Sequence, residues 1–398
     1  MSRLTRRGFL LGIAPALSAA NILEKKGTKV PSAAVKFPDP LTERPLWRLT
    51  DPKVLHHLPH YHHRCISKRD FVLVASELSG TRQIYRMNLP EGDMVQLTAG
   101  PGVHSYSPAL HPRDREFFVL QENALKEIAV NNGREREIYR CPDDWRVTGH
   151  MSVSDDGVYA AVIEMRADQV VDGFEEQFKR RPRCRIRVID TRKGTNRVIL
   201  DERRWLVHPQ FRPGGKEILF CNEGPADQVE DRLWLTSIDG RDKKRLRPQK
   251  AGEQVGHAYW APEGFEICYV HYPDATGRGA TVRSLIVQSG EERVVSRCTR
   301  FGWMMRNQDN SVIAGASRSL ASPHVFVLFA PLKRELTICE HSSSGKPYPI
   351  AGTDLQDPAA SWPEPVFSPD SNWVYFTSDR EGQPAIYRTD VSDLVENT

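Results

Sequence analysis

Four histidines, His63, His150, His208 and His257, stand at the same point of a recurring pattern, three residues ahead of an aromatic or apolar slot. Glu364 holds that point in the last copy, and Ser107 and Trp303 hold it in the other two. With 13 histidines in 398 residues, four in one register is far more than chance placement supplies. An imidazole is a base near neutral pH and the commonest protein ligand for a metal, and a carboxylate converging on it suits either role. The nearby run "LHHLPHYHH" looks like a metal-binding tag, but of its histidines only His63 falls in the register, with His60 or His62 a less favoured second contact to ligand.

Such convergence requires elements that point equivalent residues at one axis. Short apolar runs bounded by Gly, Pro, Asp and Asn recur along the chain, without long amphipathic helices, which predicts an all-β protein. The runs fall into modules marked by Ser-Pro-Asp-Gly or a relic of it, clearest in "VFSPDSNWVYFTSDREGQPAIYRTDV", Val366 to Val391. Aligning its serine gives Ser67, His111, Ser154, Arg212, Ala261, Asn307 and Ser368, 43 to 61 residues apart. Modules of this size are the four-stranded blades of a propeller, here seven-bladed. The strand entering the signature is then innermost, so the histidine register lines one mouth of a central channel. The last module ends one strand short, and "PLWRLTD", Pro45 to Asp51, resembles the "MVQLTAG" that ends the first. It is predicted to close the ring by pairing with the strand at "AIYRTDV", which leaves no open edge.

Residues 1–20, "MSRLTRRGFLLGIAPALSAA", join Arg6 and Arg7 to a short apolar run and small residues, as a twin-arginine export signal does. A periplasmic or secreted location is expected. Residues 21–44, rich in Lys, Pro, Ala and Ser, read as a linker, and residues 45–398 as the propeller. The chain has 55 Lys and Arg against 51 Asp and Glu, and the first twenty residues hold three arginines and no acid. The remainder is nearly neutral, so charge gives no case for nucleic-acid partners, or for membrane partners once the signal is removed. The seven cysteines are scattered and form no C-x-x-C motif, against a zinc site or disulfide scaffold. The basic run "KRRPRCRIR" lacks the interleaved aromatics of a nucleic-acid surface, and no G-x-S-x-G elbow supports nucleophilic hydrolysis.

The segments "HPQFRPGGKEILFCNEGPADQVEDRLW" and "VGHAYWAPEG", with the last signature copy, resemble the oligogalacturonate lyases of polysaccharide lyase family 22 over about residues 45–395. The resemblance implies a seven-bladed propeller that cleaves acidic galacturonate oligomers of pectin by β-elimination, with a histidine base and a divalent metal, usually manganese. It implies His208 as the base, His257 as a metal ligand and Arg183 or Arg185 as an arginine that meets substrate. The chain departs from the family where "WPEP" replaces "HPHP", so that Trp362 and Glu364 stand for two histidines; Ala359 stands for a glutamine. Trp303 stands where a histidine is expected, and Asn222 where the family tends to show "CHEGP". The expected site is therefore His208, Arg183 and Arg185 for catalysis, His257 and Glu364 for Mn²⁺, and His63, His150, Trp303, Trp362 and Asn222 around the sugar. Two alternatives are a propeller that binds acidic sugars without cleaving them and a Tol-type scaffold.

Overall fold

A computed structural model describes residues 25–225, 228–229, 231–319, 321–349, 356–357 and 359–395. The twin-arginine stretch lies outside these. Seven antiparallel sheets carry the predicted modules, numbered here as blades in chain order, from the sheet of His56–His57 to that of Val366–Phe367. Among the described residues, helix is confined to the short segments Phe174–Lys179 and Ser392–Val395 and one 3₁₀ turn. The second strand of each blade is packed on both faces by the adjoining blades. Phe71–Ser76, Val312–Ser317 and Trp373–Ser378 accordingly read as apolar runs without strict alternation.

The ring closes as the sequence predicts. Pro45–Arg48 pairs with Ala385–Asp390, setting Leu46 opposite Thr389 and Arg48 opposite Tyr387. Trp47 lies edge-on to Trp373 with ring centres 5.1 Å apart, and the Arg388 guanidinium covers Trp373 at 4.2 Å.

The segment read as a linker differs from expectation. Val35–Pro38 pairs with Pro45–Arg48 as an outermost strand of blade seven, and Lys29–Val30 pairs with Met94 and Val95 on blade one. Its Pro- and Lys-rich composition is that of a protected sheet edge, where a missing N–H or a solvated charge is tolerated, and composition alone does not separate the two.

The innermost strands are bulged at matching places. In blade four, His208 and Pro209 stand against Phe220 alone; in blade five, His257 and Ala258 stand against Tyr269; in blade three, Thr148, Gly149 and His150 stand against Ile163. An extra residue turns a side chain away from the pleat, here into the channel. His208, His257 and Glu364 take φ of +54°, +55° and +34°, a left-handed conformation uncommon outside glycine and concentrated at functional positions.

Candidate active site in the channel

Blade one departs most from the regular pattern. Between the pair His57–Ala75 and the bridge Ile66–Val72, residues 58–65 run against only Leu73 and Val74, so six residues are extruded from the sheet. The extruded segment crosses the channel. Leu58 donates its N–H to Thr377 Oγ1 at 3.1 Å, and Tyr61 packs on Trp303 and Ala316 of blade six. Tyr61 also gives its N–H to Glu364 Oε2 at 3.1 Å and sets its hydroxyl 3.5 Å from His257 Nδ1. On the side of the signature turns lies a cavity of about 830 Å³, which takes Gln210, Phe211 and Pro213 from blade four but not His208. The segment therefore forms a floor, with His208 on one side and this cavity on the other.

Above the floor the imidazoles converge. His60 stacks on His208 with ring centres 4.9 Å apart and lies 4.9 Å from His62, while His62 and His150 meet His208 edge-on at 5.2 and 4.5 Å. One nitrogen from each of His60, His62 and His208 lies within 4.8 Å of the other two, close enough for the three to hold a divalent ion. Burial holds all these rings below the ordinary histidine range, and their mutual repulsion pushes His60, His62 and His150 down further. They are neutral at pH 7, each with a lone pair.

His208 is set apart by what lies behind it. Its Nε2 faces Glu223 Oε2 at 3.6 Å, and Glu223 is paired to Arg232 at 2.9 Å. Burial opposes ionisation of Glu223, but Arg232 and then His208 outweigh it and hold the carboxyl down to about 2. The carboxylate is thus fixed as an acceptor that draws the ring proton to Nε2, leaving the Nδ1 lone pair free. That Nδ1 is buried without a hydrogen-bond partner.

Of the two expected metal ligands, His257 Nδ1 lies 3.5 Å from the Tyr61 hydroxyl and Glu364 accepts the Tyr61 backbone N–H. Burial pushes the Glu364 carboxyl up to about 8, and its Oε1 is buried without a partner. Between about 4.5 and 8 the folded chain therefore holds a proton that the unfolded chain has lost, so stability should fall as pH rises through that window and level off above it. Glu364→Gln keeps the acceptor for Tyr61 and should flatten the slope. Urea unfolding at pH 5 and pH 8.5 in the presence of chelator checks this; an unchanged pH dependence in the variant would exclude a buried neutral carboxyl.

Other expected residues sit differently. His63 Nδ1 bonds the Tyr106 carbonyl at 2.6 Å and its Nε2 accepts the Met151 N–H at 3.3 Å, so both nitrogens serve the backbone and none is left for a sugar. Trp303 and Trp362 pack on each other at 5.7 Å, and Trp303 is buried as part of the cluster with Tyr61, so it offers no open platform. Arg183 pairs with Asp201 at 2.6 Å on the outer side of blade three, and Arg185 lies between Glu164 and the Trp145 ring, 3.8 Å above it. Neither contacts the imidazoles through these groups, because the third strand of a blade is two strands removed from the channel. Asn222 is buried beside Glu223, donating to the Asp231 carbonyl at 2.9 Å with its Oδ1 unpartnered. His150 joins the cluster as expected.

Two features had no signal in the register. Glu223 and Arg232 follow the second strand of blade four, and only the contact of Glu223 with His208 and the pairing of Arg232 with Glu223 distinguish them from ordinary surface charges. Arg318 is exposed at the end of the second strand of blade six, and its guanidinium lies 5.3 Å above Trp303. It crosses Gly302, where any Cβ would run into Arg318 Cγ, and its charge acts on His257.

The sequence profile of the oligogalacturonate lyases matches residues 24–395. An oligogalacturonide lyase of Pectobacterium atrosepticum is 29% identical over 394 residues, covering 94% of this chain and all of the relative, and an oligogalacturonate lyase of Dickeya dadantii is 28% identical, covering 93% and 99%. Among solved structures, an oligogalacturonate lyase in complex with manganese superposes with a TM-score of 0.87 at 27% identity, covering 93% of this chain and 99% of that one. The oligogalacturonate lyase of Vibrio parahaemolyticus gives 0.84 at 27% identity, covering 93% and 100%.

Proposed function

The chain belongs to the oligogalacturonate lyase family, and from that premise we propose that it cleaves galacturonate oligomers by β-elimination with His208 as the base. The observation that carries the reading is the unpartnered Nδ1 of His208, on a ring held from behind by Glu223 and Arg232. In a uronate the proton to be removed, on C5, is flanked by a carboxylate whose negative charge opposes carbanion formation. Positive charge must offset it before a histidine can act. The elimination then expels the C4 oxygen and leaves a C4–C5 double bond.

Arg318 supplies the offsetting charge. Stacked on Trp303, it is restrained before substrate arrives and offers a planar fork to a carboxylate. A hard divalent ion, Mn²⁺ for preference, adds positive charge against the same carboxylate when bound. The donor that fits such an ion is Glu364, a buried carboxyl with an unpartnered oxygen. Arg6, Arg7 and the short apolar run after them support export of the protein to the periplasm or beyond, where pectin fragments are met.

The test is incubation with galacturonate oligomers while following the ultraviolet absorbance of an unsaturated product. Product should form from acidic oligomers and not from neutral ones, and Arg318→Gln should raise KM for the acidic substrate at least tenfold. Binding of galacturonates without product would favour the carbohydrate-binding alternative, to which the replacement of family histidines by Trp362 and Glu364 already gives weight.

A further inference from the structure

We propose that His60, His62 and His208 form a site for a borderline divalent ion of the zinc class, and that filling it takes the base out of action. Glu364 is not among its three ligands. His60 and His62 reach the channel only because six residues of blade one are extruded, and that extrusion puts them against His208 of blade four.

Each ring has one nitrogen engaged and another to offer. His60 Nδ1 lies 3.4 Å from the His62 N–H, His62 Nε2 lies 3.5 Å from the Gln210 side-chain nitrogen, and His208 Nε2 faces Glu223 at 3.6 Å. The Nδ1 atoms of His62 and His208 are both buried without partners, a costly arrangement for neutral polar atoms that a cation would relieve. The pairing of His208 with a carboxylate is the outer support that metal-binding histidines usually have.

The donor set decides the ion. Three imidazoles and no carboxylate suit zinc, nickel or cobalt, whereas manganese, magnesium and calcium favour oxygen. Three protein nitrogens with an open fourth position is a common zinc arrangement. The ion would take the His208 Nδ1 lone pair, the same pair that accepts the C5 proton. One lone pair cannot do both, so ion binding and proton abstraction exclude each other. This second half rests on His208 being the base; the binding half does not.

The experiment is calorimetric titration of chelator-treated full-length protein with Zn²⁺, and with Co²⁺ followed by its visible absorption, beside lyase assays with and without added Zn²⁺. One equivalent of zinc should bind, and Co²⁺ should give the spectrum of a low-coordinate nitrogen site. His60→Ala and His62→Ala should each weaken zinc at least as much as loss of an outer-shell partner does, about 10- to 100-fold. In wild type assayed with Mn²⁺ supplied throughout, zinc should suppress turnover, and chelation followed by fresh Mn²⁺ should restore it. In His62→Ala, the ratio of rates with and without zinc should return toward one, whatever the rate itself. Failure of wild type to bind zinc, or zinc affinity unchanged in both variants, would overturn the site. Zinc bound there with turnover undiminished would overturn the exclusion. Because the binding arms need no substrate, they stand even if no galacturonate is cleaved.

Discussion

His208→Ala should lower the rate of unsaturated-product formation by about 10²- to 10⁴-fold, the usual contribution of a general base, while leaving substrate affinity nearly unchanged. The side chain keeps 16% of its surface exposed and packs on polar imidazoles, so its removal leaves a space that water can enter rather than an apolar cavity. Alanine is strained at the observed φ of +54°, so His208→Asn, which tolerates a left-handed backbone, is the companion variant that isolates the imidazole from the bulge. Glu223→Gln should lose less rate and shift the acid limb of the pH–rate profile to lower pH. The sign follows from the environment: burial lowers the His208 pKa and the Glu223 carboxylate raises it, so neutralising Glu223 leaves burial unopposed. A passive structural role for Glu223 would not move the profile. Wild-type rates in both His208 variants would remove His208 from the chemistry.

Deletion of residues 1–55 should abolish cooperative unfolding. The deletion removes Pro45–Arg48 from blade seven, Val35–Pro38 beyond it and Lys29–Val30 from blade one, leaving Ala385–Asp390 with unpaired main-chain groups. Leu46 and Leu49 are fully buried, and losing two such side chains alone costs about 5 kcal/mol. That is comparable to the whole stability of many proteins, about 5–15 kcal/mol. Deletion of residues 1–24 keeps every described strand and should unfold like the full chain. Calorimetric melting of the two proteins decides it: equal melting temperatures would mean that the ring does not depend on its closing strand.

The propeller was legible because each blade repeats the same turn chemistry and the same apolar strands, and repetition averages out local irregularity. The register also placed His150, His208, His257 and Glu364 at equivalent points, because bulges recur at that point in blades three, four and five. It failed in blade one. Counting back from Ile66 reaches His63, whose nitrogens both bond the backbone, while His60 and His62 lie in the extruded turn where no other blade has residues to align. Charges were the least legible. Arg183, Arg185, Arg232 and Arg318 look alike in sequence, and their roles differ only through Asp201, Glu164, Glu223 and Trp303, partners that the fold supplies.

The extruded segment of blade one also limits what can reach the base. With Leu58 anchored on blade seven and Tyr61 wedged against blades five, six and seven, the ring is a cup with a closed bottom. A polymer cannot be threaded through it and cut along its length. A sugar chain must be presented by an end, or be short enough to lie within the rim, and the products must leave by the opening through which the substrate came. Preference for short oligomers over long pectin would then be a matter of topology, set by six residues extruded from one blade.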